Sequence, residues 1–330
     1  MNVPSAHTGV GPPPGPSPLA APPVNANTRS ASAYCRRLTR ASGSNFYYSF
    51  LFLPHRRRQA IYAVYAFCRA VDDLVDGQPE TRPAAVRQPD STDAGGAGDS
   101  GMPAAGLAAW REEIHRTFSG APSHPITREI ARLRESHGLR REHFLEILRG
   151  VEMDLEPVRY ERFEDLYPYC YRVAGVVGLL CAQIFGHRDP GTREYAVNLG
   201  IGFQLVNILR DLRQDARRGR VYLPLEDLDR YGCSEAELCD GTPGPGFEPL
   251  IRFECERARE LLRHARRRLP PVDRRAMWPA EAMAGVYEKL LSLIEPEPRR
   301  VLSGTLRVPP WRKAAFALRA LLGRALPAAG

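Results

Sequence analysis

Apolar residues recur along most of this chain at intervals of three and four, and no stretch alternates convincingly with period 2. From Pro54 to about Asp76 the apolar positions are Ile61, Val64, Tyr65, Phe67, Cys68 and Val71, one face of a helix, with Pro54 suited to a first turn. The same period predicts helices over Leu107–Phe118, Ile126–Ser136, Arg141–Leu148, Phe163–Gly186, Thr192–Ala216, Pro249–Leu269, Pro279–Ile294 and Pro310–Leu326. Long helices without strands predict an all-α fold packed as one domain. Residues 1–32, rich in Pro, Gly, Ala and Ser, read as a disordered tail. Residues 77–106, rich in Pro, Gly, Asp and Ser, read as a mobile insertion. That leaves a core domain over 33–305 and a basic amphipathic helix within 306–330.

Two of these helices carry a polar stripe through an otherwise apolar pattern. Gln204, Asn207, Asp211 and Asp215 fall at relative positions 0, 3, 7 and 11, and Tyr65, Arg69, Asp72 and Asp76 at 0, 4, 7 and 11. At about 100° per residue each set lies on one helix face. Like charges four apart repel, so each pair needs positive charge nearby; Arg69 and Arg210 are at hand. Carboxylates on one face suit a hard divalent cation such as Mg²⁺, which takes oxygen ligands, keeps waters and binds substrate phosphates. Two facing carboxylate helices predict two or three Mg²⁺ ions around a diphosphate, which is a poor leaving group until its charge is balanced.

Composition narrows the setting. The formal charge is +8 and the pI about 9.3, and Lys289 and Lys313 are the only lysines. Such an arginine excess suits phosphate or an acidic membrane surface, and equally follows from an arginine-rich composition. The seven cysteines form no C-x-x-C pair and the histidines no H-E-x-x-H, which argues against a disulfide framework or a zinc site. There is no basic-then-apolar leader pattern and no uninterrupted apolar run of about 18 residues. The expectation is a cytoplasmic protein, soluble or peripheral on the inner face of the membrane. No nucleic-acid-binding motif accompanies the charge. The helix over 310–326 holds Trp311, Arg312, Lys313, Phe316, Leu318, Arg319, Leu321 and Leu322; it fits either a membrane surface or a last helix packed on the core.

The stripes sit in longer segments: Tyr65-Ala66-Phe67-Cys68-Arg69 with Asp72-Asp73-x-x-Asp76; Tyr169-Cys170-Tyr171-x-Val173-Ala174-Gly175-x-Val177-Gly178; and Gln204 through Asp215 followed by Arg217-Arg218-Gly219-Arg220-x-Tyr222-Leu223-Pro224. In these the chain resembles the squalene/phytoene synthase family of head-to-head prenyltransferases. Ser44 to Phe50, Gly150-Val151-Glu152-Met153-Asp154 and Ile184-Phe185-Gly186 are most similar to its bacterial presqualene diphosphate synthases of hopanoid pathways. The resemblance implies an isoprenoid synthase fold around a central cavity. It implies condensation of two farnesyl diphosphates to presqualene diphosphate, with Mg²⁺ required and NADPH not expected, and hand-over of the product to a downstream squalene-forming enzyme. By position it assigns Asp72, Asp73, Asp76, Asp211 and Asp215 to Mg²⁺ and diphosphate, and Arg69, Arg210 and Arg220 to diphosphate oxygens. Gln204 and Asn207 would position metal or substrate. Tyr65, Tyr169 and Tyr222 would line the reaction centre. Val173, Val177, Gly178, Leu199 and Phe203 would wall the prenyl tunnel. Ser44, Asn45, Phe46 and Tyr287 would contact substrate. Two positions depart from the pattern: Ser44-Asn45 stands where relatives often have two serines, and Gln214 where they often carry an acid. The same motifs serve phytoene synthases, which take geranylgeranyl diphosphate, and squalene or dehydrosqualene synthases; tunnel length separates the first.

Overall fold

The computed structural model describes residues 31–41, 50–76, 101–304 and 306–323. Among these there are thirteen α-helices and no strand, the only β pairing being an isolated bridge between Arg159 and Val221. The helices are α1 (Ala31–Ala41), α2 (His55–Asp76), α3 (Gly101–Ser119), α4 (Pro125–His137), α5 (Arg141–Glu152), α6 (Phe163–Cys170) and α7 (Val176–Phe185). After these come α8 (Thr192–Arg217), α9 (Leu225–Tyr231), α10 (Glu235–Asp240), α11 (Phe247–Arg267), α12 (Trp278–Ile294) and α13 (Pro310–Gly323).

Helix α8 is the axis of the domain. It is buried at fourteen positions and packs against α7, α10, α11 and α12. Its fit against α7 and the turn that leads into α7 is made backbone to backbone. A Cβ on Gly178 would lie 2.2 Å from the Ala196 carbonyl oxygen, and one on Gly200 would lie 2.4 Å from that of Ala174. Only glycine permits this approach. Helix α2 meets the other side of α7, and α1, α4 and α5 close over it, with Phe67 edge-on to Trp110 and Phe144 at 5.5 and 5.2 Å between ring centroids.

Where the described residues differ from the periodic reading, local chemistry explains it. The predicted helix Phe163–Gly186 is broken by a π-turn, Tyr171–Gly175, just after Pro168 has removed an amide donor from α6. Helix α1 begins at Ala31, inside the expected 1–32 tail, and α3 begins at Gly101, inside the expected 77–106 insertion. Gly106 there packs on Leu74 of α2, an anchor that composition does not reveal. The rest of the tail and insertion, residues 1–30 and 77–100, lies outside the described residues. Short helices α9 and α10 carry terminal rather than periodic signals: a Ser234–Glu237 capping box and left-handed glycines at 232 and 241. The apolar stretch Phe163–Phe185 is long enough to cross a membrane by composition, yet Val176, Leu180, Ile184 and Phe185 are buried in the core.

The last helix, α13, lies on α12, with Phe316 seated over Gly285 and with Lys313 and Ala317 buried. Trp311, Leu318 and Leu322 are left exposed. Packing on the core, one of the two expected uses of this helix, thus occupies one of its two apolar faces.

Candidate active site

Helices α2, α7, α8 and α12, with the π-turn, enclose a cavity of about 260 Å³. Its walls are apolar. Val173, Val177 and Gly178 face it from the π-turn and α7, and Leu199 and Phe203 from α8. The Phe203 ring stacks on Tyr287 at 4.2 Å. One end is polar, with Tyr65, Arg69, Asp72, Gln204 and Asn207. Helix direction fixes the long axis. On each wall the polar-end residue and the opposite-end residue (Asp72 and Ile61, Asn207 and Tyr195, Tyr287 and Met277, Val173 and Phe185) are ten to twelve positions apart. At about 1.5 Å rise per residue these lining positions span about 15–18 Å along the cavity walls.

At the polar end the two carboxylate stripes meet. Arg69 Nη2 lies 2.7 Å from Asp73 Oδ1. The turn after α8 reaches across to α2: Arg220 donates to Asp76 Oδ1 at 2.7 Å and to the Val75 carbonyl at 3.2 Å, and Arg218 lies 3.4 Å from Asp76 Oδ2. Gly219, at φ 78°, makes that turn possible. Arg210 folds onto its neighbour Asp211, with contacts of 2.8 and 2.5 Å. Tyr287 donates to Asn207, which donates to Gln204, both at 3.3 Å.

These carboxylates crowd one another. Asp72 is open to water in the cleft but walled by protein, and that enclosure together with Asp76 pushes its carboxyl up to about 7, against the pull of Arg69. Burial, Asp211 and Asp76 raise Asp215 to about 7, against Arg220 and Arg218. Asp73 is raised too, by burial, with Arg69 opposing. The influence of Asp76 on Asp215 is the electrostatic sign that the two stripes face each other. The donor set is all oxygen, which fits Mg²⁺. Among the described residues no three acidic, His or Cys side chains close a metal shell by themselves. Mg²⁺ does not ask for that, since it binds one or two carboxylates and completes its octahedron with waters and phosphate. Gln214 is exposed, off the facing stripe, so the acid missing there is not missing from the inner face.

Two tyrosines expected at the reaction centre stand beside the carboxylate rim rather than in the apolar wall. Tyr169 and Tyr222 are not cavity walls. Their rings stack at 5.0 Å, and both hydroxyls donate to Asp154, at 2.9 and 2.7 Å. Burial raises Asp154, with the tyrosine hydroxyls and Arg220 opposing, and Asp154 in turn raises Asp72. The cluster therefore adjoins the rim behind the Asp76–Arg220 pair. In the sequence Asp154 stands out only as part of the Gly150–Asp154 motif, because Glu152 beside it leaves no apolar run for it to interrupt. Lys313 carries no sequence signal that separates it from the other cations of its helix. It is buried on α13, and its pKa is lowered by burial and by the charges of Arg210 and Arg307. Ser44, Asn45 and Phe46 lie outside the described residues.

Residues 39–312 match the family described as squalene/phytoene synthase. The chain belongs to the squalene/phytoene synthase family. It is thereby placed among head-to-head prenyltransferases. It is 34% identical to the 15-cis-phytoene synthase of Synechococcus elongatus, over 89% of this chain and 94% of that one. With the phytoene synthase of Mycobacterium tuberculosis it shares 33% identity over 86% of this chain and 88% of the other. Its fold matches the crystal structure of a dehydrosqualene synthase in complex with ligand, with TM-score 0.73 at 26% identity, covering 88% of this chain and 95% of that one. It also matches squalene synthase HpnC from Alicyclobacillus acidocaldarius, with TM-score 0.60 at 27% identity, covering 90% and 95%. These neighbours give the architecture its name, the all-α isoprenoid synthase fold.

Proposed function

We propose that this protein condenses two molecules of farnesyl diphosphate into presqualene diphosphate and releases one diphosphate. The observation that carries the chain length is the depth of the cavity. An extended prenyl chain gains about 5 Å per isoprene unit, four bonds of about 1.5 Å projected on its axis. Three units need about 15 Å and four about 20 Å, against lining positions that span about 15–18 Å. A C15 chain fits straight, whereas a C20 chain meets the far wall.

In this reading Arg69, Arg210, Arg220 and Lys313 bind diphosphate oxygens, and Asn207 with Gln204 holds the substrate head in line. Asp72, Asp73 and Asp76 on α2, with Asp211 and Asp215 on α8, would hold Mg²⁺, which when bound supplies the positive charge that a departing diphosphate needs. The walls exclude water from the allylic cation left when the C–O bond breaks. The faces of Phe203 and Tyr287 tolerate that cation. The second chain's double bond supplies the electron pair for the new C–C bond. A C–H bond then breaks to close the cyclopropane, its proton passing to the departing diphosphate. Tyr169, Tyr222 and Asp154 act from behind, fixing the rim that carries Asp76. No reductant is used.

The identity to phytoene synthases favours a second reading, condensation of two geranylgeranyl diphosphates. Separate incubations with the C15 and C20 diphosphates and Mg²⁺, with and without NADPH, decide between them. A C30 diphosphate formed from the shorter substrate without NADPH is the expected product by mass spectrometry. A C40 hydrocarbon from the longer one, with the shorter left unused, overturns the proposal.

A further inference from the structure

Helix α13 has two apolar faces, and the core uses only one. Lys313, Phe316, Ala317 and Leu321 turn inward on α12. Trp311, Ala315, Leu318 and Leu322, at relative positions 0, 4, 7 and 11, form a second stripe that faces outward. Trp311 is 66% exposed, Leu318 49% and Leu322 58%. The helix cannot turn to bury this stripe without drawing Lys313 and Phe316 out of their seats. Leu306 and Val308, both buried, pin the lead-in segment as well.

Charge selects the occupant. The helix has no acidic residue. Arg312 lies over the Trp311 ring at 5.0 Å, and Arg307 and Arg319 are exposed nearby. Aromatic and aliphatic side chains flanked by arginine, lying flat on the surface, are the pattern of an interfacial helix on anionic lipid. We propose that the outer face of α13 docks this protein on an anionic bilayer. The same helix then holds Lys313 beside Arg210 on its inner face, so the bilayer lies against the element that borders the diphosphate end of the cavity. This rests on the function proposed above only for its purpose, delivery of a water-insoluble product to lipid.

The test uses the full chain and flotation with vesicles of phosphatidylcholine, alone or with about one third phosphatidylglycerol. Trp110 and Trp278 are buried, so a blue shift of tryptophan fluorescence on lipid reports Trp311. The expected result is a blue shift and binding to the anionic vesicles only, weakening with salt. The triple variant Trp311→Ser/Leu318→Ser/Leu322→Ser should lose affinity by about 100-fold or more, and Arg312→Gln/Arg319→Gln by about five-fold per arginine. Wild-type protein that ignores anionic vesicles, or a triple variant that binds them as well as wild type, overturns the proposal. So does a wild-type dimer that the triple variant abolishes without any vesicle binding, since a second copy would then cover the stripe. Vesicle binding is read without turnover, and failure to convert either prenyl diphosphate would count against the proposed function alone.

Discussion

Phe50 offers the sharpest test of how the cavity selects its chain. It is 2% exposed, lines the cavity, and precedes α2, so it lies at the Ile61 end, away from Asp72. Phe50→Ala deletes a six-carbon ring, against five carbons in an isoprene unit. The change therefore opens about the space that a fourth unit requires. A buried Phe→Ala change costs about 3–5 kcal/mol. The ring already borders a void, so the lower end applies and the variant should remain folded at 25 °C. Overfilling an apolar pocket costs about 1–3 kcal/mol. Wild type should then prefer the C15 over the C20 substrate by about 5- to 150-fold in kcat/KM, and Phe50→Ala should bring the ratio close to one. The assay is a competition between the two diphosphates with product masses as the readout, alongside a thermal melt to confirm folding. A folded Phe50→Ala variant that keeps the wild-type preference would refute the depth argument, because no other boundary of the cavity would have moved.

Three further outcomes follow from the site. Asp72→Ala or Asp211→Ala should abolish turnover while leaving Tm within a few degrees, since both groups are partly or fully open to the cleft; near-normal rates would remove the carboxylate clamp. Asp72 and Asp215 are held up to about 7 in the metal-free protein, above their unfolded value near 4, so the native state binds the extra protons. Their contribution to stability is therefore lost as pH rises from about 4 through about 7, and the Tm increase given by Mg²⁺ should be larger at pH 8 than at pH 6 in a calorimetric scan. Gly178→Ala would set a Cβ 2.2 Å from the Ala196 carbonyl; denaturant unfolding should show a loss of about 1–3 kcal/mol or more as α7 is pushed off α8.

The two carboxylate stripes were legible because each is a departure from an apolar period, and period survives translation into a helix unchanged. Their meeting was legible only through the resemblance, since nothing local in Asp76 tells that Arg220 will reach it from 144 residues away. What stayed hidden had no period to break. Tyr169 belongs to a recognisable motif, yet the π-turn that follows it and its hydrogen bond to Asp154 come from tertiary packing. Lys313 read as one more cation on an amphipathic helix. Its burial beside Arg210 depends on Phe316 meeting a glycine on α12, a pairing between distant segments.

The same contrast explains how positive charge is distributed around the rim. Arg69, Arg210 and Arg220 each already touch a carboxylate, at 2.7, 2.5 and 2.7 Å. An arginine so engaged must exchange its partner to hold a diphosphate oxygen, and the carboxylate it leaves becomes available to a metal. Diphosphate and Mg²⁺ are then linked in binding: each frees the ligand that the other uses. That exchange predicts that Mg²⁺ affinity rises when inorganic diphosphate is present and that, by reciprocity, diphosphate affinity rises by the same factor with Mg²⁺. Titration calorimetry measures both legs, and independent affinities would mean that the arginine–aspartate pairs persist in the loaded site.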